Sequence, residues 1–158
     1  MKYLLLALVL CVSAAVVAET PAEAFENLVD GFYAGDAQVV ESYLSEGSIQ
    51  MMEMMIMMIQ MQPGQAAMEL SEDLQMAVSA DELLNWTTTD LIHALINSPM
   101  MTEGFPPRDQ IIVSGCEVQG DSGIVYIKVD EYPEAIPIAM VMEGADWKLS
   151  EALVQSEL

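Results

Sequence analysis

The chain has 158 residues, 25 acidic against 4 basic, and a net charge of −21. A field of that sign repels phosphate backbones and anionic lipid headgroups, which excludes nucleic acid as a partner. The acids are scattered rather than gathered in a block, so they describe a solvated surface, and no spacing resembles a calcium loop.

The start, "MKYLLLALVLCVSAAVVA", carries one charge at Lys2 and then sixteen uncharged, mostly apolar residues from Tyr3 to Ala18. A spanning helix needs about 20 apolar residues, so the run is short for that role. It reads as a secretory signal over residues 1–18, with Val16 and Ala18 at the positions a peptidase inspects. The product is expected to be exported, periplasmic or secreted, as a single domain over 19–158, with no membrane insertion after cleavage. Cys11 is a poor lipid acceptor because Leu10 stands where a small residue belongs. Cys116 is then the one remaining thiol, without an internal disulfide partner, and is expected to be a small buried apolar residue.

Helices are expected over about 21–97. Thr20, Pro21 and Glu23 open the first with a capping box; Phe25, Leu28, Val29 and Phe32 recur at helical spacing, and Gly35 ends it. Asp36 caps a second, short helix with Val39, Val40, Tyr43 and Leu44 as its apolar face, and "SEGS" interrupts at 45–48.

Half of the fourteen methionines then fall between Met51 and Met61. On a helical wheel Gln50, Glu53 and Gln60 form a thin polar seam with Met57 between them. Met51, Met54, Met55, Met58 and Met61 form one flank, and Met52, Ile56 and Ile59 the other. The pattern predicts a mostly buried helix that packs on a sheet and lines a cavity, stopped by Pro63 and Gly64. Ser79 and Glu82 announce a further helix with Val78 stapled on Leu83, running to Asn97 over a stripe of Leu83, Leu84, Leu91, Ala94 and Leu95. "TEGFPPRD" reads as a loop. From about 109 to 154, "QIIVSGCEV", "GIVYIKV", "AIPIAMVM" and "WKLSEALV" are strand-like runs joined by short turns, an antiparallel meander. Helices first and sheet afterwards make an α+β domain.

The stretches "AFENLVDGFYAGDAQVVESYLS", "VQGDSGIVYIKV" and "MEGADWKLSEALV" resemble the opening helices, central hairpin and closing hairpin of the cone-shaped superfamily named after nuclear transport factor 2, which includes ketosteroid isomerases. The resemblance implies helices packed on a curved antiparallel sheet, often around an apolar cavity, and sheets that pair through their outer faces into a homodimer. The superfamily hosts enzymes and non-catalytic modules alike, so it implies a fold and not an activity.

An isomerase-like or hydrolase-like enzyme would need ionisable groups in that cavity, and Tyr33, Asp36, His93 and Asp130 are the candidates. Asp36 is more simply a helix cap, Asp130 ends a strand, Tyr33 reads as core with its hydroxyl at the rim, and His93 is expected to bond Asp90. A Cu(I) site is the alternative that thioether chemistry offers to the Met51–Met61 cluster, although no histidine or cysteine lies nearby. The favoured expectation is a non-catalytic module without a cofactor. It binds a small apolar ligand or an envelope protein through a cavity or surface lined by Met51, Met54, Met55, Met58, Met61, Phe32 and Tyr33.

Overall fold

The computed structural model describes residues 18–130 and 132–151; the expected signal over 1–18 and the end of the last expected strand lie almost wholly outside the described residues. Among the described residues, seven α-helices precede a sheet: α1 (Pro21–Ala34), α2 (Ala37–Ser42), α3 (Glu46–Met61), α4 (Pro63–Asp73), α5 (Ala80–Leu83), α6 (Thr88–Ile96) and α7 (Pro99–Gly104). Strands β1 (Ile111–Gln119), β2 (Ser122–Val129), β3 (Ile136–Glu143) and β4 (Asp146–Leu149) form an open antiparallel sheet in sequence order. The α+β reading therefore holds.

The meander follows from its turns. Gln119 pairs with Ser122 and Glu143 with Asp146, leaving two-residue connections. In each the first connecting residue is glycine, Gly120 at φ +61° and Gly144 at φ +68°, which supplies the positive φ that tight hairpins need. Along β2, Val125, Ile127 and Val129 are buried while Lys128 is exposed, so alternation sets the inner face. On that face Phe25, Leu28 and Val29 of α1 meet Val125, Ile127, Met140 and Trp147, and Ile92 and Ile96 of α6 complete the core. Close approach of α1 and α2 depends on Gly31, where an added Cβ would lie 2.6 Å from Val39 Cγ1.

Both early caps form as the sequence predicts. Thr20 and Glu23 make a reciprocal box, and Asp36 Oδ1 accepts from the backbone of Gln38 and Val39, each at 3.1 Å. Four expectations change. "SEGS" is the first turn of α3 rather than an interruption, because Ser45 is its N-cap and accepts from Ser48 N at 3.1 Å. The long helix expected over 80–97 divides into α5 and α6, since Thr87 and Asp90 form a third capping box that starts a new helix. In consequence Leu84 is exposed and Ile92 is buried. "TEGFPPRD" begins as helix, because Ser98 caps α7 and Pro99 occupies its first turn. Cys116 is exposed at the outer part of edge strand β1, not buried.

Candidate functional site

The helix α3 is anchored at its start. Ser45 is almost fully buried; its hydroxyl donates to Glu151 Oε2 at 2.7 Å, and its N–H donates to the Leu149 carbonyl at 3.0 Å. The Glu46 N–H donates to both carboxylate oxygens of Glu143, at 3.0 and 3.1 Å. The Glu143 carboxylate thus meets a free N–H at the start of α3, and the Glu151 carboxylate meets its N-cap hydroxyl. The Ser45 hydroxyl holds the Glu151 carboxyl below the usual range.

The far end is held differently. Gln60 turns its amide inward and donates to the carbonyls of Leu83, Leu84 and Trp86 at 3.3–3.4 Å, which lie at and beyond the end of α5. Gln60 is therefore not part of a solvent seam: it serves backbone acceptors that α5 cannot satisfy itself. Pro63 then opens α4, and Ile59, Ala67 and Leu83 close a small second core.

Between these anchors the helix sorts its apolar residues by face. Ile56 and Ile59 are buried, with Ile49 and Met52 half-buried beside them. Met51, Met54, Met55, Met57, Met58 and Met61 face outward, 42–70 % exposed. The expectation of a mostly buried methionine helix is thus corrected. Ile56, Ile59 and Met52 seat α3, and among the described residues the rest of the arc is exposed. Where α3 turns into α4, Met58, Ile59, Gln62, Gln65, Ala66 and Glu69 line a groove of about 230 Å³. Glu53 of α3 and Glu69 of α4 are both exposed.

The two aromatic candidates lie elsewhere. Phe32 is half-buried against the main core and packs on Tyr33 and Phe105, each 5.2 Å between ring centroids. Tyr33 is exposed rather than in the core, and its hydroxyl donates to the Pro106 carbonyl. Its hydroxyl pKa is raised by burial, against the opposing pull of Arg108. Arg108 in turn binds Asp30 at 2.6 Å, so this corner clasps the 105–108 segment to α1.

A polar crevice of about 490 Å³ lies between α2 and α6, lined by Gly35, Asp36, Gln38, Thr89, Asp90 and His93 among others. Its carboxylates already have work. Asp36 caps α2, and Asp90 accepts from the Thr87 hydroxyl and N–H at 2.7 and 2.8 Å. Those two bonds hold the Asp90 carboxyl below its ordinary value. His93 is exposed and its Nδ1 meets Asn97 Nδ2 at 3.2 Å, so its hydrogen bond goes to Asn97 rather than to Asp90. Tyr33 and Asp130 do not line this crevice.

Among the described residues, no three histidine, cysteine, aspartate or glutamate side chains gather where they could hold a metal ion, and no helix is long and apolar enough to cross a membrane. Compared with protein-family models, with curated proteins and with solved structures, the chain matches none.

Proposed function

We propose that this chain is an exported, non-catalytic binding module of the cone-shaped class, and that it docks an envelope protein on the methionine face of α3. The observation that carries the reading is the sorting on that helix: Ile56 and Ile59 are buried where it packs, with Met52 half-buried beside them, and six methionines lie exposed on its outer side. Exposed apolar surface costs solubility, and patches of this kind mark interaction sites. Methionine suits such a surface because its unbranched thioether chain re-packs against partners of different shape.

Charge selects the partner's chemistry. Glu53 of α3 and Glu69 of α4 are exposed, on a chain of net charge −21. A segment that lays an apolar stripe across Met54, Met57, Met58 and Met61, with lysine or arginine on its margins, satisfies both features. The groove between α3 and α4 offers that stripe a place to seat an anchor residue. The α1–sheet packing is what a cone-shaped relationship would require, and supports that part of the reading.

Two alternatives have less support. A small apolar ligand needs enclosure, whereas these methionines face outward. An isomerase-like or hydrolase-like site would fall in the Asp36–His93 crevice, whose carboxylates are engaged as helix caps.

The test is a titration with a short amphipathic Leu/Lys helical peptide, read from the methionine ε-methyl resonances, beside a Leu/Glu peptide of the same pattern. The Leu/Lys peptide should shift the Met54, Met57, Met58 and Met61 methyls, and Met58→Gln with Met61→Gln should weaken it by about tenfold. Equal binding of the Leu/Glu peptide, or shifts confined to other methionines, would sink the reading.

A further inference from the structure

We propose that four of the outward thioethers of α3, those of Met51, Met54, Met55 and Met58, form a binding site for Cu(I). This goes beyond docking and does not depend on it; it rests on the exposure and spacing of these four side chains.

The spacing is i, i+3, i+4, i+7. On a helix such a set forms a diamond, with Met51 and Met58 at its ends, two turns or roughly 10 Å apart along the axis, and Met54 and Met55 at its sides. Each edge of the diamond joins residues three or four apart, whose Cβ atoms lie about 5–6 Å from one another. No residue projects between the four, so Met54 and Met55 can converge on one ion together with either end residue. Met51 and Met58 are too far apart to hold it at once, and the ion exchanges between the two triads that share the Met54–Met55 edge. Each thioether has three rotatable bonds with which to turn its sulfur inward. All four are 42–63 % exposed, so no core packing has to be broken for this.

Ligand chemistry names the cation. Thioether sulfur is a soft, neutral donor and selects Cu(I), while hard cations such as calcium and magnesium take oxygen ligands. Neutral donors leave the ion's positive charge uncompensated, and the acidic chain around it favours that charge. The flank of α3 that packs inward carries isoleucines, which bind no metal, and a single half-buried thioether, Met52.

The experiment uses Cu(I) itself, supplied anaerobically as its acetonitrile complex to the full chain. Cys11→Ser and Cys116→Ser are present throughout, so that thiolates do not capture the metal. Native mass spectrometry should show one Cu(I) per chain, and the ε-methyl resonances of Met51, Met54, Met55 and Met58 should move together and saturate at one equivalent. Replacing these four by leucine should weaken binding at least about tenfold with the helical circular dichroism unchanged. The paired variant Met54→Leu with Met55→Leu gives the same answer with less change to the surface. Met68→Leu with Met100→Leu, at exposed methionines elsewhere, should leave binding as it was. Undiminished binding by the leucine variants would overturn the site. So would non-saturating shifts shared equally by the Met68 and Met100 methyls, or no bound copper at all.

Discussion

The described residues hold two cores of unequal size, and α3 reaches both. The main core brings together thirteen buried residues from α1, α2, α6, the sheet and Leu44, whereas the second consists of Ile59, Ala67 and Leu83 with a few half-buried neighbours. The first is built by burial across elements far apart in sequence. The second is built within the α3–α5 segment and relies on hydrogen bonds: Gln60 to the end of α5, and Ser71 Oγ accepting from Val78 N at 3.1 Å. The lesson is that the sheet-bearing body sets global stability, and the α3–α4–α5 flank is an attached platform. A platform held by few buried contacts opens at a lower cost than the body.

The sharpest way to break this comparison is a pair of truncations. Trp147→Ala empties the main core beside α1 and should cost about 3–5 kcal/mol, seen as one cooperative shift of the urea midpoint. Leu83→Ala removes a fully buried side chain from the second core and should cost less, about 2 kcal/mol. Its signature is hydrogen exchange: amides of the last turns of α3, of α4 and of α5 should exchange faster, while β2 keeps its protection. Equal loss of protection in β2 would mean that the two cores unfold as one.

A smaller effect tests the cap that separates the platform from α6. Thr87→Ala removes one partner of the third capping box and should cost about 1 kcal/mol at neutral pH. The Asp90 carboxyl is held below its ordinary value by the Thr87 hydroxyl and then by the Thr87 N–H. A depressed folded pKa contributes stability that is present above the unfolded carboxylate pKa and is lost as pH falls through the folded value. The gap between wild type and Thr87→Ala should therefore shrink on acidification below the usual aspartate range. A gap that stays constant through that range would show that the charged carboxylate contributes nothing to the cap.

Legibility in the sequence divides along the same line. The Thr20 and Asp36 caps, the apolar stripe of α1 and both two-residue hairpins were readable, because each is a local rule with its residues adjacent in the chain. The split at Thr87 was also local, yet the Ser79–Glu82 box ahead of it matched one long helix equally well, and two boxes in series compete. The fate of the methionines was not readable. A wheel gives the width of an apolar arc but not how much of it another element covers, and here only the isoleucine side is covered. Gln60 misled for the same reason: its acceptors, the carbonyls of Leu83, Leu84 and Trp86, come from a segment more than twenty positions away. Cys116 misled because its strand lies at the sheet's edge, and edge position is a property of topology.

The smallest expected effect on stability comes from the platform's outer face, and it is also the most informative about that face. Met54, Met57, Met58 and Met61 are 60–70 % exposed, and Met140 in the main core is 2 % exposed. Mild peroxide should therefore oxidise the first four well before Met140, as peptide mass spectrometry would resolve. Converting them to sulfoxides should change the unfolding free energy by less than about 0.5 kcal/mol, since exposed side chains without packed neighbours contribute little. A large destabilisation would mean that this face is covered in the free protein, and both the docking and the copper readings would lose their footing. A neutral result with rapid oxidation leaves a surface that folding does not require to be apolar. The methionines then have to be explained by what they bind, because the isoleucines already account for how α3 is held.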